Sequence, residues 1–366
     1  SSYLTASIST NEAHGDKQAT LNTPPNDQLR WEKTTSWDLG FDFSVFSHRL
    51  TGSFDVYHKK SSDVLAQIDL DPTTGWSSLY TNNAQTLNKG MELQLSAEIL
   101  KARTRSQVGV SMDFTLAYNK NKILKLYHEP TSGWSALGSY HEGDPINSLY
   151  SFAFDHVETD EDGYQQLYWR AADGSTYCND LYTTTFKVED VKFSGSLDPK
   201  WSGSIMPVIT WQGFSLGASF VWYAGHYFRA DAQRWDTDIS LSYEASVPRS
   251  YLDYWRMPES ERSGVLGNGY MMNYMNVSIY DLKYCDQNVD HADYMKLRSL
   301  TLGYKFTPEI CRFIGVGGMS IRLQMNNVCT WVRNNRGIDP ERVEASSGTL
   351  GNKIPKSYTV SLNVNI

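Results

Sequence analysis

Strict alternation between apolar and polar side chains is the feature that most limits what this chain can fold into. From Trp37 to Val45 the odd positions are apolar, and the even positions hold polar or small residues such as Asp38 and Asp42. A β-strand sends successive side chains to opposite faces, whereas a helix would not separate the two classes in this way. The segment is therefore predicted to be a strand with one apolar and one polar face.

The same alternation recurs along the chain. After a joint at Ser47-His48 it resumes from residue 50 to 57, which predicts a hairpin of two long strands. Further strands are predicted near residues 87–99, 108–118, 203–212, 214–224, 293–306, 318–329 and 358–366, with a weaker one at 2–10. That makes about ten strands, each near the length that a tilted strand needs to cross a bilayer. The predicted fold class is all-β and antiparallel.

The connections between the predicted strands alternate between short and long. Short connections are predicted at 47–48, 100–105, 212–213 and 307–317, and long ones at 11–35, 61–85, 120–202, 225–292 and 330–356. Loops longer than about 15 residues are uncommon in compact domains, yet here they recur at one end of the hairpins. Transmembrane barrels of the bacterial outer membrane have short periplasmic turns and long extracellular loops. The pattern therefore predicts a wall of such a barrel, with Ile366 at the periplasmic rim.

A soluble sandwich with one dry face would also show alternation, but its strands usually run for only about 5–6 residues. Carboxylates at positions such as Asp38 and Glu92 fit a watery or plugged interior better than a dry core. The formal net charge is −8, and the 33 Lys and Arg residues form no basic run. Nucleic acid is therefore not expected as a partner, because phosphate binding requires clustered positive charge.

The sequence gives little support to catalysis or metal binding. No histidine belongs to an HExxH motif, and neither GxSxG nor a P-loop pattern occurs. The four cysteines form no CxxC pair, which argues against a zinc site. Asp160 and Asp162 lie in an acidic run that could offer oxygen ligands to Ca²⁺, but the full EF-hand spacing is missing. A solvated acidic loop is the simpler interpretation, and we expect no enzyme activity and no cofactor.

Tryptophan placement is more informative. Trp134, Trp169, Trp235 and Trp255 fall in the predicted long connections, and Tyr251 lies close to Trp255 in the sequence. Aromatic faces can stack on sugar rings or anchor peptides, whereas the alternative is that they pack the loops against one another. We therefore take Trp235, Tyr251 and Trp255 as the first candidates for contact with cargo or a capping protein. Trp134 and Trp169 follow them.

Five segments resemble the C-terminal barrel region of the SusC/RagA group of TonB-dependent receptors. The clearest is NDQLRWEKTTSWDLGFDF at 26–43, whose core is similar to the group's NPDLKWEKT stretch. The others are RLTGSFDVYHKKSSDVL at 49–65, NKGMEL at 88–93, YMKLR through LGY at 294–304, and NNV through GIDPE at 326–341. These matches keep their order over nearly the whole chain, so together they are specific.

The resemblance implies that residues 1–366 are the C-terminal part of an outer-membrane barrel of about twenty-two strands. It implies further N-terminal strands and a plug domain that this sequence lacks. It also implies contact with lipid, nutrient import powered through TonB, a SusD-like surface lipoprotein as a cap, and an oligosaccharide, ahead of a peptide, as cargo. Ile366 departs from the group, whose barrels usually end in an aromatic residue. We expect an open wall in which residues 357–366 do not pair with residues 2–10.

Two other functions fit the sequence less well. One is a soluble β-rich carbohydrate-binding or adhesin module, and the other is a β-structured glycoside hydrolase, which would need two carboxylates at a set separation. Solubility without detergent would favour either of them over a membrane barrel. Turnover of a glycan would single out the hydrolase.

Overall fold

The computed structural model describes residues 5–10, 16–76, 78–126, 130, 132–159, 165–178, 186–230 and 284–366. Its main element is a nine-stranded antiparallel sheet. In their order across the sheet, the strands are β17 (Ser357–Asn365), β16 (Gly318–Val332), β15 (Tyr294–Lys305), β12 (Phe214–Ala224), β11 (Trp201–Trp211), β6 (Gly109–Lys125), β5 (Ser78–Leu100), β4 (Leu50–Asp69) and β3 (Lys33–Val45). Each strand pairs with the next one of this sheet along the chain, so the sheet is an up-and-down meander, and the predicted all-β antiparallel class is confirmed.

The two faces of the sheet differ in polarity as the alternation predicts. Phe41 lies opposite Phe54, whereas Asp42 lies opposite Ser53 on the other face. The register continues the apolar face across the sheet through Leu93, Leu116, Phe220, Leu302, Leu323 and Val360. Phe41 is 65% exposed. A continuous exposed apolar face of this extent marks an interaction surface, and it is not the solvated face of a soluble sandwich.

The short connections lie at one end of the sheet and the long ones at the other, as predicted, except that the connection at 70–77 is short. The short ones are residues 46–49, 101–108, 212–213 and 306–317, the last of which holds helix α2 (Pro308–Phe313). The opposite end carries residues 70–77, 126–200, 225–293 and 333–356. Residue 365 lies at the same end of the sheet as the short turns, because Asn365 pairs with Gly318 at the start of β16. The end opposite the short turns, named the outer end, therefore carries nearly all of the connecting chain, and its connections are named the outer connections.

The prediction of a long loop at 61–85 is wrong for most of its length. β4 and β5 continue to pair as far as Asp69 and Ser78, so only residues 70–77 connect them. A register shift lies near Asp63, where Asn82 Nδ2 donates a hydrogen bond of 2.6 Å to the Asp63 carbonyl. The sequence misleads here because the polar run at 58–63 and the register shift interrupt the alternation, although the pairing continues on the far side.

The described part of the sheet is an open wall. β17 pairs only with β16 and β3 only with β4, so these two strands are its edges. The predicted strand at 2–10 corresponds to β1 (Thr5–Thr10), which pairs with β2 (Lys17–Thr23) in a separate two-stranded sheet. The main sheet therefore has nine strands rather than about ten, and the predicted lack of pairing between the two ends is confirmed for the described residues.

The buried core of the described residues lies mainly in the outer connections. Residues 126–200 contain helix α1 (Gly133–Gly138) and a sheet ordered β10 (Val191–Ser196), β7 (Ser148–Thr159), β8 (Gln165–Arg170) and β9 (Thr176–Cys178). A second pair joins β13 (Tyr227–Arg229) to β14 (Val289–His291). Short 3-10 turns occupy Pro72–Thr74, Val188–Asp190, Asp286–Asn288 and Pro340–Arg342. No described helix has the length and apolar character needed to pass through a membrane.

Candidate cargo-facing loop cluster

An aromatic cluster forms the centre of the outer connections. It consists of Phe152, Trp169 and Phe186 together with Cys285, each at most 1% exposed. The rings of Phe152 and Phe186 stack with centroids 3.6 Å apart, and Trp169 meets Phe186 edge-to-face at 5.6 Å. Such pairs add roughly 0.5–1.5 kcal/mol each beyond the burial of their area. Because Cys285 belongs to the 225–293 connection, the cluster also joins two separate connections.

Trp134 covers this cluster from the side. It lies in α1, whose N-terminus is capped by Ser132, with the Ser135 amide donating to the Ser132 hydroxyl at 3.2 Å. Its ring meets Phe152 and Tyr284 edge-on, with centroids 5.2 and 6.0 Å apart. Trp134 nevertheless keeps 38% of its surface exposed. It can therefore both pack and touch a ligand.

The other predicted contact residues fall in different places. Trp169 is 1% exposed, so its ring packs inside the loop cluster, as in the packing alternative for these tryptophans. Trp235, Tyr251 and Trp255 lie outside the described residues, as do Asp160 and Asp162. Among the described residues, no group of three or more His, Cys, Asp or Glu side chains is placed to hold a metal ion.

A buried arginine ties three connections together. Arg229 is 1% exposed, and its Nη2 donates hydrogen bonds to the Tyr150 carbonyl at 2.6 Å and to Ser151 Oγ at 3.2 Å. Its guanidinium lies 5.0 Å from the centroid of the Tyr284 ring, and its amide donates to the Ala345 carbonyl at 2.8 Å. Burial lowers the pKa of Arg229 to about 10, so the side chain stays charged at neutral pH. The 126–200, 225–293 and 333–356 connections therefore meet at this residue.

A second buried cation lies on the polar face of β15. Lys296 Nζ lies 3.2 Å from Asp339 Oδ2, and it also contacts the Glu341 carboxylate. Glu341 accepts a hydrogen bond of 2.9 Å from the Tyr294 hydroxyl and contacts Arg298. The Lys296 side chain is 3% exposed, and a charge at that depth requires partners of opposite sign. The positive charges of Lys296 and Arg298 therefore balance the two carboxylates on the polar face of the sheet, which is the inner wall.

A histidine lies beside an ion pair at the base of the 225–293 connection. His226 is 8% exposed, and its Nδ1 lies 3.8 Å from Asp293 Oδ1. Asp293 accepts hydrogen bonds from Arg333 Nη1 at 2.8 Å and from the Gly225 amide at 2.7 Å. Burial raises the pKa of the Asp293 carboxyl, but these bonds bring it below its ordinary value. Burial also lowers the pKa of His226, so its imidazole is neutral at neutral pH.

The polar face below the loops carries carboxylates, as the sequence predicts. Asp55 and Glu92 are direct cross-strand neighbours, and with Ser204 and Tyr223 they line a groove of about 360 Å³. A face with adjacent carboxylates fits a watery or plugged interior and would not fit a dry core.

The residues that hold the loops together carry little signal in the sequence. Arg229 gave no sequence signal, because a lone arginine in a long connection usually lies on the surface. Lys296 and Glu341 do stand in the YMKLR and GIDPE segments quoted above. Their pairing depends on how the 333–356 connection folds back onto the wall, which no local pattern encodes.

Comparison with known proteins agrees with this geometry. A family model described as "TonB dependent receptor-like, beta-barrel" matches residues 3–328. TonB-dependent receptor SusC of Bacteroides thetaiotaomicron is 24% identical over 96% of this chain and 34% of its own length. TonB-dependent receptor P39 of Formosa agariphila is 23% identical over 86% of this chain and 33% of its own length. This chain thus spans about a third of the length of these curated relatives.

Solved structures show the same fold. A structure of the RagAB peptide transporter superposes with a TM-score of 0.72 at 21% identity, covering 98% of this chain and 38% of that one. The 'open-open' state of the RagAB peptide importer gives a TM-score of 0.71 at 19% identity, with 100% of this chain covered. The apolar face of the sheet is therefore the lipid-facing side of an outer-membrane barrel wall, and the chain belongs to the TonB-dependent receptor-like β-barrel family.

Proposed function

We propose that this chain forms the C-terminal wall and outer loop set of a TonB-dependent importer that carries a nutrient across the outer membrane. The observation that carries the proposal is the two-faced sheet of nine strands with its elaborate connections at one end only. An apolar face toward lipid and a polar face toward the lumen suit passage of a hydrophilic cargo. The chain carries out no covalent chemistry in this proposal.

The cargo that we propose is an oligosaccharide, with a peptide as the second candidate. The outer connections are rich in Trp and Tyr, whose faces stack on sugar rings and also anchor peptides. Trp134 supports this, because its ring is partly open beside the aromatic cluster. The peptide remains a candidate because RagAB, a structure with the same fold, is described as a peptide importer.

The proposed partners follow from the same arrangement. A SusD-like surface lipoprotein would cap the outer connections, and TonB would supply energy through an N-terminal plug. Further barrel strands would pair with the free edges of β3 and β17, because unpaired backbone groups in lipid cost several kcal/mol each. In this proposal Trp235, Tyr251 and Trp255 contact cargo or cap, Trp134 contributes, and Trp169 supports the cluster from inside.

The test is uptake by cells that carry the full-length transporter. Labelled oligosaccharides and peptides of graded length are offered in parallel, and surface expression is measured in the same cells. Trp235→Ala with Trp255→Ala, and separately Trp134→Ala, should reduce cargo binding and uptake at normal surface levels. Trp211→Ala, at the end of the sheet with the short turns, is the control and should leave binding unchanged.

Other outcomes would refute parts of the proposal. Uptake of peptides alone would replace the oligosaccharide with the second candidate. Normal uptake by all the tryptophan variants, or losses that merely follow surface level, would leave these residues as loop packing. Equal uptake by cells that lack the transporter would reject the importer.

A further inference from the structure

The connection between β16 and β17 turns back onto the inner wall of the sheet. Thr330 and Lys296 are cross-strand neighbours on the polar face. Asp339 reaches both of them, at 3.5 Å from Thr330 Oγ1 and 3.2 Å from Lys296 Nζ. The segment therefore lies against the polar, lumenal side of β15 and β16 instead of extending away from the rim.

The turn at 339–341 is built to present its carboxylates to the wall. Asp339 Oδ1 accepts a hydrogen bond of 3.1 Å from the Glu341 amide and so caps the short 3-10 turn. Pro340 occupies the first turn position, where its fixed φ costs nothing. One Asp339 oxygen thus shapes the turn while the other meets Lys296, and the turn directs Glu341 to Arg298 and Tyr294.

The chain on both sides of this turn packs on the base of the neighbouring connection. Ile338, Val343 and Ala345 pack against a buried cluster of Phe228, Ala230 and Ala292. That cluster belongs to the two segments around β13 and β14, where the 225–293 connection leaves and rejoins the sheet.

Polar contacts reinforce the same junction. The Arg229 amide donates to the Ala345 carbonyl at 2.8 Å. Arg336 Nη2 donates to the Gln287 carbonyl at 3.0 Å, and its Nε lies 3.8 Å from Asp290. Residues 333–345 therefore contact both ends of the 225–293 connection at once.

We infer that Lys296 is a positioning residue: by holding Asp339 and Glu341 on the lumenal wall, it makes residues 333–345 a brace that fixes the base of the 225–293 connection. The effect on cargo affinity rests on the proposed import function, whereas the mechanical link does not.

The energetic reason is the burial of Lys296. Removing one partner of a buried ion pair leaves the other charge uncompensated, which is strongly destabilising. In Lys296→Met, Asp339 would lose its ion-pair partner while Glu341 kept Arg298 and Tyr294. Two carboxylates would then share one cation on the polar wall, so the turn should leave the wall for water. The brace would lose its anchor and the packing of Val343 and Ala345 would loosen with it.

The experiment follows amide hydrogen exchange in the full-length transporter in detergent. Lys296→Met should speed exchange at least about tenfold across 338–345 and also across 226–230 and 289–293. Exchange in the hairpin turns at 46–49 and 212–213 should stay unchanged. Lys305→Met is the matched control, since Lys305 lies exposed at the other end of the same strand.

Two more variants keep the test informative if Lys296→Met fails to assemble. Asp339→Asn keeps the turn cap but removes one charge, so it should give a smaller change of the same pattern. Lys296→Met combined with Glu341→Gln removes one charge of each sign and leaves Asp339 with Arg298 nearby, so it should assemble better than Lys296→Met alone. A double variant that assembles no better than Lys296→Met would reject the direct coupling.

The outcomes separate the brace from the proposed function. Exchange that rises only at 339–341, with 226–230 and 289–293 unchanged, would overturn the brace. A changed exchange pattern with weaker cargo binding at normal surface level would support both. A changed pattern in a transporter whose wild-type form binds no oligosaccharide or peptide would reject the import function while keeping the brace.

Discussion

Tyr57 and Gly90 are direct cross-strand neighbours on the polar face of the sheet, and the tyrosine hydroxyl donates a hydrogen bond of 3.0 Å to Asn119 Oδ1. The Tyr57 ring therefore passes over Gly90 of β5 and reaches from β4 to β6. A Cβ at Gly90 would collide with this ring and with the Tyr118 carbonyl. The glycine of the NKGMEL segment is therefore required by packing.

Gly90→Ala should destabilise the barrel by about 1–3 kcal/mol, because the added methyl forces the ring or the backbone to shift. Heat-induced unfolding of the purified transporter in detergent measures the effect. The matched control is Gly217→Ala, another strand glycine, whose added Cβ would lie 3.6 Å from Val208 Cγ2 in ordinary contact. Equal melting temperatures for the two variants would contradict the packing argument.

A charge on the lipid-facing side of β3 should be costly. Phe41 points to the apolar face and is 65% exposed there, whereas Asp42 points to the polar face. Phe41→Lys is expected to cost about 2–4 kcal/mol near the bilayer midplane, and Asp42→Lys far less. The amount of folded transporter in the outer membrane gives the comparison. Similar yields would place the strand outside the hydrocarbon region, and a lower yield for Asp42→Lys would mean that the two faces are reversed.

The sequence predicted the membrane wall well because lipid imposes a strict rule. A strand with one face in hydrocarbon must alternate, and β3 and β4 do so from end to end of their predicted pairing. The same rule failed beyond this pairing, where a polar run at 58–63 and a register shift interrupt the alternation although β4 continues to Asp69. Local patterns thus report the solvent on each face and say little about where pairing stops.

The loop cluster was only partly predictable for a related reason. Tryptophans in long connections can be counted, but whether a ring packs or faces outward depends on contacts between distant segments. Trp169 is buried by Phe152 and Phe186, while Trp134 stays partly open beside the same two rings. Likewise, the sequence around Lys296 is that of an ordinary strand. Its two carboxylate partners come from the 333–356 connection, which is distant in sequence.

Removing the guanidinium of Arg229 should weaken the contact between the outer connections. Arg229→Met keeps much of the volume but leaves the Tyr150 carbonyl without the guanidinium donor. Leaving a buried acceptor without its partner costs about 1–3 kcal/mol, so the loops should open more readily. Limited proteolysis of intact cells should then cut within 126–200 faster than in the wild type. Arg312→Met, on exposed helix α2, is the control, and equal cleavage rates for both variants would argue against the tie.

The base of the 225–293 connection should weaken as the pH falls. His226 lies beside Asp293, which is paired to Arg333, and Asp198 contributes a second negative charge. Burial brings the folded-state pKa of His226 below its ordinary 6.5 despite the two carboxylates. The unfolded state then binds the proton first, so the stability that the neutral imidazole provides is full above pH 6.5 and is lost as the pH falls below it.

Protonation of Asp293 should also destabilise the base of the 225–293 connection, but at lower pH. Its hydrogen bonds hold the folded-state pKa below the ordinary 3.8, so its contribution is present above that value and is lost as the pH falls through the folded pKa. Between pH 7.5 and 5 His226, and not Asp293, should therefore change its protonation state.

The measurement is amide exchange at 226–230 and 289–293, taken with full-length transporter at pH 7.5 and pH 5 and corrected for the intrinsic pH dependence of exchange. Wild type should lose protection at pH 5, and His226→Gln should lose less, because glutamine cannot take up the proton. His48→Gln, at the turn between β3 and β4 at the opposite end of the sheet, should behave as wild type. A His226→Gln variant with the same loss as wild type would show that the histidine does not control this base, and the acid response would then belong to other groups.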